Sequence, residues 1–293
     1  MPRIASMERL EVGDGRVVEY LVEGPAGGRP LVLHHGTPGV AMLLEPVAEA
    51  AYRHGLRFVT HSRPGYSDST PQPGRRVADV ADDVTALLDV LGADDFVTIG
   101  WSGGGPHALA SAALLPDRCR AAAVIAGVAP YDAEGLDWLA GMGEENITEF
   151  GAAATGKDAL EEFLTEASAD LKNVQPGEII AAFGDLLSAV DQAALRDGLA
   201  GYLAASCRAA VSRGYDGWRD DDLAFLTDWG IDLATIRVPV SIWQGDQDRM
   251  VPHAHGRWLG EHVPGATTQL VPGEGHLSLI NNIDTIVAKL ASS

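Results

Sequence analysis

Cysteine is nearly absent from this 293-residue chain: Cys119 and Cys207 are its only two. Two are too few for a disulfide framework, and neither has a Cys or His neighbour at metal-finger spacing, so both read as buried free thiols. Long apolar runs are missing as well. The longest, around Ala121 to Pro130, has the length of a buried strand and falls short of a membrane span. The opening "MPRIASMERLEVGDG" lacks the apolar h-region of a secretory signal, and a cytoplasmic location is expected. Basic charge is scarce, with 21 Lys plus Arg against 41 Asp plus Glu and a formal net charge of −20. That balance argues against nucleic acid and against anionic membrane surfaces, which both need a basic footprint. G-x-G-x-x-G, the P-loop and H-E-x-x-H do not occur, which removes dinucleotide, nucleotide-phosphate and zincin readings. His253 and His255 could ligate a metal, but no third ligand stands at a recognisable spacing, and neither a metal nor another cofactor is expected.

What is present is unevenly placed. Between Pro130 and Asp232 stand 21 Asp plus Glu and 6 Lys plus Arg, so this third of the chain carries −15 of the −20. The charge step marks a separate module. On either side of it, short apolar or β-branched runs alternate with segments of helical spacing. Val17 to Val22 and Pro30 to His35 read as strands joined hairpin-fashion through the turn-forming "EGPAGGRP". Arg57 to His61, Asp95 to Gly100, Cys119 to Ala126 and Val238 to Gln244 read as further strands. Met42 to His54, Val77 to Leu91 and Pro106 to Leu115 read as helices. This alternation implies an α/β fold, a mostly parallel sheet with helices on both faces. From Ala126 to Val238 the pattern is helical for about a hundred residues, too long for a crossover. "LEEFLTEASADL", "EIIAAFGDLLSAV" and "ALRDGLAGYLAASCRAAV" are expected as successive amphipathic helices forming a lid over one edge of the sheet.

Ligands of open parallel sheets sit outside the carboxyl ends of the strands, so the loops that follow strands are where chemistry is sought. Four of them carry unusual residues. His35-Gly36-Thr37-Pro38-Gly39 is a tight turn whose backbone N–H groups could face an oxyanion. Gly100-Trp101-Ser102-Gly103-Gly104 matches G-x-S-x-G, in which small neighbours let a strand and a helix approach closely and the serine hydroxyl project. Gly245-Asp246-Gln247-Asp248-Arg249-Met250-Val251-Pro252 and Pro272-Gly273-Glu274-Gly275-His276 follow the last two strands. Serine, acid, histidine is the chain order expected when this chemistry is built on such a sheet.

With these four loops in this order, the chain resembles the α/β-hydrolase fold family over nearly its whole length. The resemblance implies a core of residues 1–129 and 233–293 with a helical cap over 130–232. It casts Ser102 as nucleophile, His276 as general base and Asp248 as the carboxylate that orients the imidazole. The N–H groups of Thr37 and Gly103 become the oxyanion donors, and Trp101 and Gly36 border the substrate. Asp246 reads as a turn former, while Asp132 is a rival acid. His34 and His35 are expected to support the oxyanion turn, and His54 to be exposed. The loop "HSRPGYSDST" reads as scaffold, with Ser62 where the family more usually has aspartate. A serine nucleophile implies an acyl-enzyme route on a small-molecule ester or similar acyl bond. The alternatives are a proline-iminopeptidase-like aminopeptidase, with Glu144, Glu145, Glu149 or Glu178 receiving an ammonium group, and a non-hydrolytic member such as a C–C hydrolase, hydroxynitrile lyase or perhydrolase. A small molecule is the expected partner; a homodimer is compatible with the sequence.

Overall fold

The computed structural model describes residues 6–195 and 198–293. Residues 1–5 of the opening segment, and Arg196 and Asp197 within the third helix expected between the two sheet halves, lie outside the described residues. Eight strands form one sheet: β1 (Ser6–Glu11), β2 (Val17–Glu23), β3 (Arg29–His34), β4 (Leu56–His61), β5 (Phe96–Trp101), β6 (Cys119–Ile125), β7 (Val240–Gly245) and β8 (Thr267–Val271). Their order is β1-β2-β4-β3-β5-β6-β7-β8. From β4 across to β8 all pairs are parallel.

The expected hairpin between Val17–Val22 and Pro30–His35 is corrected. β2 pairs antiparallel with β1 and with β4, whereas β3 lies between β4 and β5. β3, buried from Pro30 onward, has parallel neighbours on both sides, and the turn-rich linker serves as a crossing rather than a tight return. The hairpin is formed instead by β1, whose charge-interrupted sequence SMERLE, exposed at Met7, Glu8, Arg9 and Glu11, carries a weak strand signal.

Helices α1 (Glu45–Arg53), α2 (Val80–Val90) and α3 (Gly105–Leu114) connect the central strands. The side chains of the strands alternate between two cores, as a pleated sheet covered on both faces requires. Val32, Phe96, Val124 and Ile242 pack with α2 and α3. Leu31, Leu33, Ile99 and Ile125 pack with α1 and the C-terminal helix.

Between β6 and β7 the described residues form α4 (Glu144–Thr155), α5 (Lys157–Leu171), α6 (Ile179–Phe183), α7 (Ala189–Ala194), α8 (Leu199–Ala210) and α9 (Asp216–Leu226). The apolar faces of α4, α5, α6, α8 and α9 share a third core, in which Leu160, Leu164, Ile179, Cys207 and Trp218 meet Val40 and Tyr66 from loops of the sheet. The helix expected over "EIIAAFGDLLSAV" is broken in two, because Gly184 takes φ +46 and ends α6, and Ser188 caps the restart at α7. Helices α10 (His253–His262) and α11 (Ile283–Ala291) complete the chain. Among the described residues no helix is long and apolar enough to cross a membrane.

Candidate active site

The chain leaves β5 through Ser102, whose φ of +55 lies in the left-handed region that costs a non-glycine residue energy. The turn is possible because its neighbours have no side chains. A Cβ on Gly100 would strike the carbonyl of Gly104, and one on Gly104 the carbonyl of His34. The strand, the turn and α3 therefore close tightly, and Ser102 faces a cavity of about 170 Å³.

His276 lines the same cavity from the loop after β8. Its Nδ1 lies 2.9 Å from Asp248 Oδ2, and both side chains are almost fully buried. Asp248 is fixed on all sides: the N–H groups of Met250 and Val251 donate to Oδ1 at 2.9 and 2.8 Å, and Gln244 Nε2 donates to Oδ2 at 2.8 Å. Burial by itself would lower the basicity of His276, but the adjacent Asp248 charge and hydrogen bond, with Asp191 behind them, hold its pKa above the ordinary value.

Thr37, Gly103, Gly36 and Trp101 also line the cavity. A side chain at Gly103 would collide with Thr37 Oγ1, and a Cβ at Gly36 would stand 3.4 Å from that of Ser102, so the turn after β3 lies directly against the serine. Trp101 is both cavity wall and core residue. The two rival acids stand apart. Asp246 accepts the N–H of Gly273 at 2.8 Å in an exposed turn, and Asp132 is exposed away from the cavity. His35 Nδ1 contacts the Gly36 carbonyl at 2.7 Å within the turn, while His34 packs beneath it, edge-on to His61 and stacked on His107. His54 is half-buried rather than exposed, because it reaches Asp284 of α11. His255 is consumed by the backbone, between the N–H of Ala129 and the carbonyl of Trp138, and is not paired with His253. Among the described residues no cluster of three or more His, Cys, Asp or Glu has the arrangement of a metal site. Cys119 and Cys207 are free and buried, their thiols pushed up to about 12 by desolvation.

Motif reading missed three supporting groups. Gln244 steadies Asp248. Arg63, from the loop read as scaffold, donates to the carbonyls of His35 and Gly36 and to Thr37 Oγ1 at 2.6, 3.2 and 3.0 Å. Asp221 of α9, fully buried, accepts from Thr37 Oγ1 at 2.7 Å and from Tyr66, Arg63 and Arg75. Burial would raise its pKa, but the two guanidiniums outweigh that and hold it well below the usual range. Ser62, at the position of the family's aspartate, donates to Glu19 Oε2 and accepts the N–H of Ala41, both at 2.9 Å, which ties the same loop to β2.

The helices between β6 and β7 supply the far wall, largely apolar through Phe150, Leu186, Tyr202 and Phe225. Two of the four glutamates considered for ammonium binding, Glu145 and Glu149, reach it, whereas Glu144 and Glu178 are exposed elsewhere. Glu149 accepts from Trp218 Nε1 at 2.6 Å. It lies against Asp222; burial, with the Glu145 charge beside it, raises the Glu149 carboxyl pKa to about 7 against the lowering effect of its hydrogen bonds, and burial with the charge of Glu149 raises that of Asp222.

A family model for the alpha/beta hydrolase fold matches residues 29–283. The chain belongs to the α/β-hydrolase fold family. This α/β hydrolase is 29% identical to a non-heme chloroperoxidase of Streptomyces lividans, over 85% of this chain and 84% of that protein. It is 30% identical to a pimeloyl-[acyl-carrier protein] methyl ester esterase of Aromatoleum aromaticum, over 86% of this chain and 92% of that protein. Its fold is similar to the crystal structure of a bromoperoxidase from Bacillus anthracis, with a TM-score of 0.68, 22% identity and 98% of each chain covered.

Proposed function

We propose that this α/β hydrolase is a serine hydrolase that cleaves a small-molecule carboxylic ester, or a similarly activated acyl bond, through an acyl-enzyme intermediate. The observation that carries the reading is Ser102, held at φ +55 on the wall of a cavity shared with an Asp248-bound His276. In the first half-reaction Ser102 Oγ attacks the carbonyl carbon while His276 Nε2 takes the serine proton. Asp248 fixes the Nδ1–H tautomer and stabilises the imidazolium. The oxyanion that forms is met by the backbone N–H groups of Thr37 and Gly103. His276 returns its proton to the departing alkoxide. It then deprotonates a water that attacks the acyl carbon, and the acid leaves with Ser102 restored. Residues 130–232 act as a cap over a core of residues 1–129 and 233–293, and their apolar wall favours a compact, largely apolar acyl group. The relatedness to methyl ester esterases supports an ester as the scissile bond.

Glu145 and Glu149 on the cavity wall favour a second reading, an aminopeptidase whose substrate brings an ammonium group to these carboxyls. One experiment separates the two. Purified protein and its Ser102→Ala variant are assayed on short-chain p-nitrophenyl esters and on proline p-nitroanilide. The ester reading expects ester turnover that falls by about 10⁴-fold or more without Ser102, with no anilide cleavage. Preferential anilide cleavage would replace it with the second reading, and ester turnover unchanged in Ser102→Ala would overturn both.

A further inference from the structure

Asp191 is a fully buried carboxylate on α7 with no lysine or arginine beside it among the ion pairs of the described residues. Its donors come instead from the loop that carries His276. The backbone N–H of His276 donates to Oδ2 at 3.1 Å, and those of Leu277 and Ser278 donate to Oδ1 at 2.7 and 3.0 Å. Ser188 Oγ, at the start of the same helix, donates to Oδ2 at 2.7 Å. The loop has been shaped around this group. Gly275 could not carry a side chain, because a Cβ there would collide with the Asp191 carboxylate, and its own N–H donates to Ser278 Oγ at 2.8 Å. A segment 85 residues earlier in the chain thus grips the backbone of the candidate base at three successive N–H groups.

We propose that Asp191 is a positioning residue for His276: from the inserted helices it fixes the backbone of the base's loop and stabilises the imidazolium that forms when Ser102 gives up its proton. The inference rests on the Ser102–His276 chemistry proposed above. In low dielectric the charge of a buried carboxylate met by N–H and O–H dipoles acts on a neighbouring imidazole. Asp248 faces His276 from the loop after β7, and Asp191 from α7. The other titratable groups around the base are Glu274 on its own loop, His35 on the turn after β3, Glu145 and Glu149 on α4, and Tyr202 and Cys207 on α8. Asp248 orients the ring; Asp191 orients the chain that bears it. The balance of the two charges against burial leaves His276 more basic than a free imidazole.

The test is the Asp191→Asn variant, which keeps shape and removes charge. Its His276 is titrated by NMR with labelled imidazole, and its kcat/KM for a p-nitrophenyl ester is followed against pH. The expected result is a downward move of the His276 titration, and of the acid limb of kcat/KM, by about one pH unit. KM at pH 8 is expected to stay near that of the parent protein. Ser188→Ala, which keeps the charge but removes one of its donors, is expected to leave the limb in place or raise it by a few tenths of a pH unit. It also decides the matter if Asp191→Asn fails to fold, since a downward move there would contradict the proposal. A merely structural Asp191 would lower stability or kcat in Asp191→Asn while leaving both titrations unmoved, and that result overturns the proposal. Because the NMR titration needs no substrate, an inactive parent protein would refute the ester reading while the effect of Asp191 on the His276 titration is still decided.

Discussion

The sheet loops and the inserted helices each build half of the cavity, and they do so with opposite chemistry. On the sheet side, beside the buried Arg63, the residues beneath the serine and the turn after β3 include a group of uncharged bases. His34, His61 and His107 are fully buried and hold several ring nitrogens without a partner. Desolvation lowers their pKa values strongly, that of His61 to about 3. On the helical side most of the buried charged groups among the described residues are acids, with different answers to their own charge. Asp221 is paired with two arginines, Asp191 is met by N–H dipoles, and Glu149 and Asp222 lie against each other. The two sides divide the labour. Strand ends place Ser102, Asp248 and His276, whereas the inserted helices contact those strand-end loops and supply the far wall of the cavity.

The largest effect that tests this division belongs to the sheet side. Asp248→Asn is expected to lower kcat on an ester by about 10³–10⁴-fold, since an amide cannot hold the same tautomer of His276, with the fold intact by circular dichroism. In the parent protein kcat/KM is expected to rise with pH along a limb centred above 6.5, because the base must be neutral and its pKa is raised. A limb below 6.5 would contradict the electrostatics described here.

Next in size is a variant of the helical side. Asp221→Asn leaves Arg63 and Arg75 buried with no carboxylate partner and is expected to cost about 3–5 kcal/mol in urea denaturation. Because Arg63 also holds the carbonyls of the turn after β3, kcat is expected to fall with stability. If activity stays unchanged, this helix does not support the turn.

The smallest expected effect, that of Glu149→Gln, is read in a pH scan of stability that also compares the two regions. The buried histidines stay neutral in the folded chain, while the unfolded chain binds protons below about 6.5, so stability is complete above that pH and is lost as pH falls. Each histidine contributes a slope of about 1.4 kcal/mol per pH unit. Glu149 and Asp222 act in the other direction, because their folded carboxyls keep a proton that the unfolded chain has already released, so stability falls as pH rises towards 7. Glu149→Gln is expected to leave the acid limb in place and to gain about 1–2 kcal/mol at pH 8 relative to the parent protein. A loss at pH 8 would show that the carboxylate is held by a favourable partner.

The same contrast explains how much could be read from the sequence. Ser102, Asp248, His276 and the turn around Thr37 sit in short loops after strands, where glycines and fixed spacings mark a local geometry; Ser102, His276 and Thr37 share one cavity, and Asp248 stands behind it against His276. Asp191 and Asp221 carry no such mark. Each is one acid among many between β6 and β7, and the role of each comes from partners on the sheet loops 85 to 184 residues away along the chain. Strand pairing is equally non-local: β3 sits between β4 and β5 through its parallel neighbours, which a run of turn residues after β2 cannot reveal. The break at Gly184 was hidden because amphipathic spacing continues across it. Helical periodicity reports which face is apolar, not what that face is packed against.

The central claim is that Ser102 becomes acylated. The most direct measurement is rapid acid quench during turnover of a p-nitrophenyl ester, followed by peptide mapping by mass spectrometry. The account predicts one acyl group on the peptide containing Ser102, present during turnover and absent from Ser102→Ala. Full turnover with no acyl group on that peptide, or with the acyl group on another residue, would contradict it.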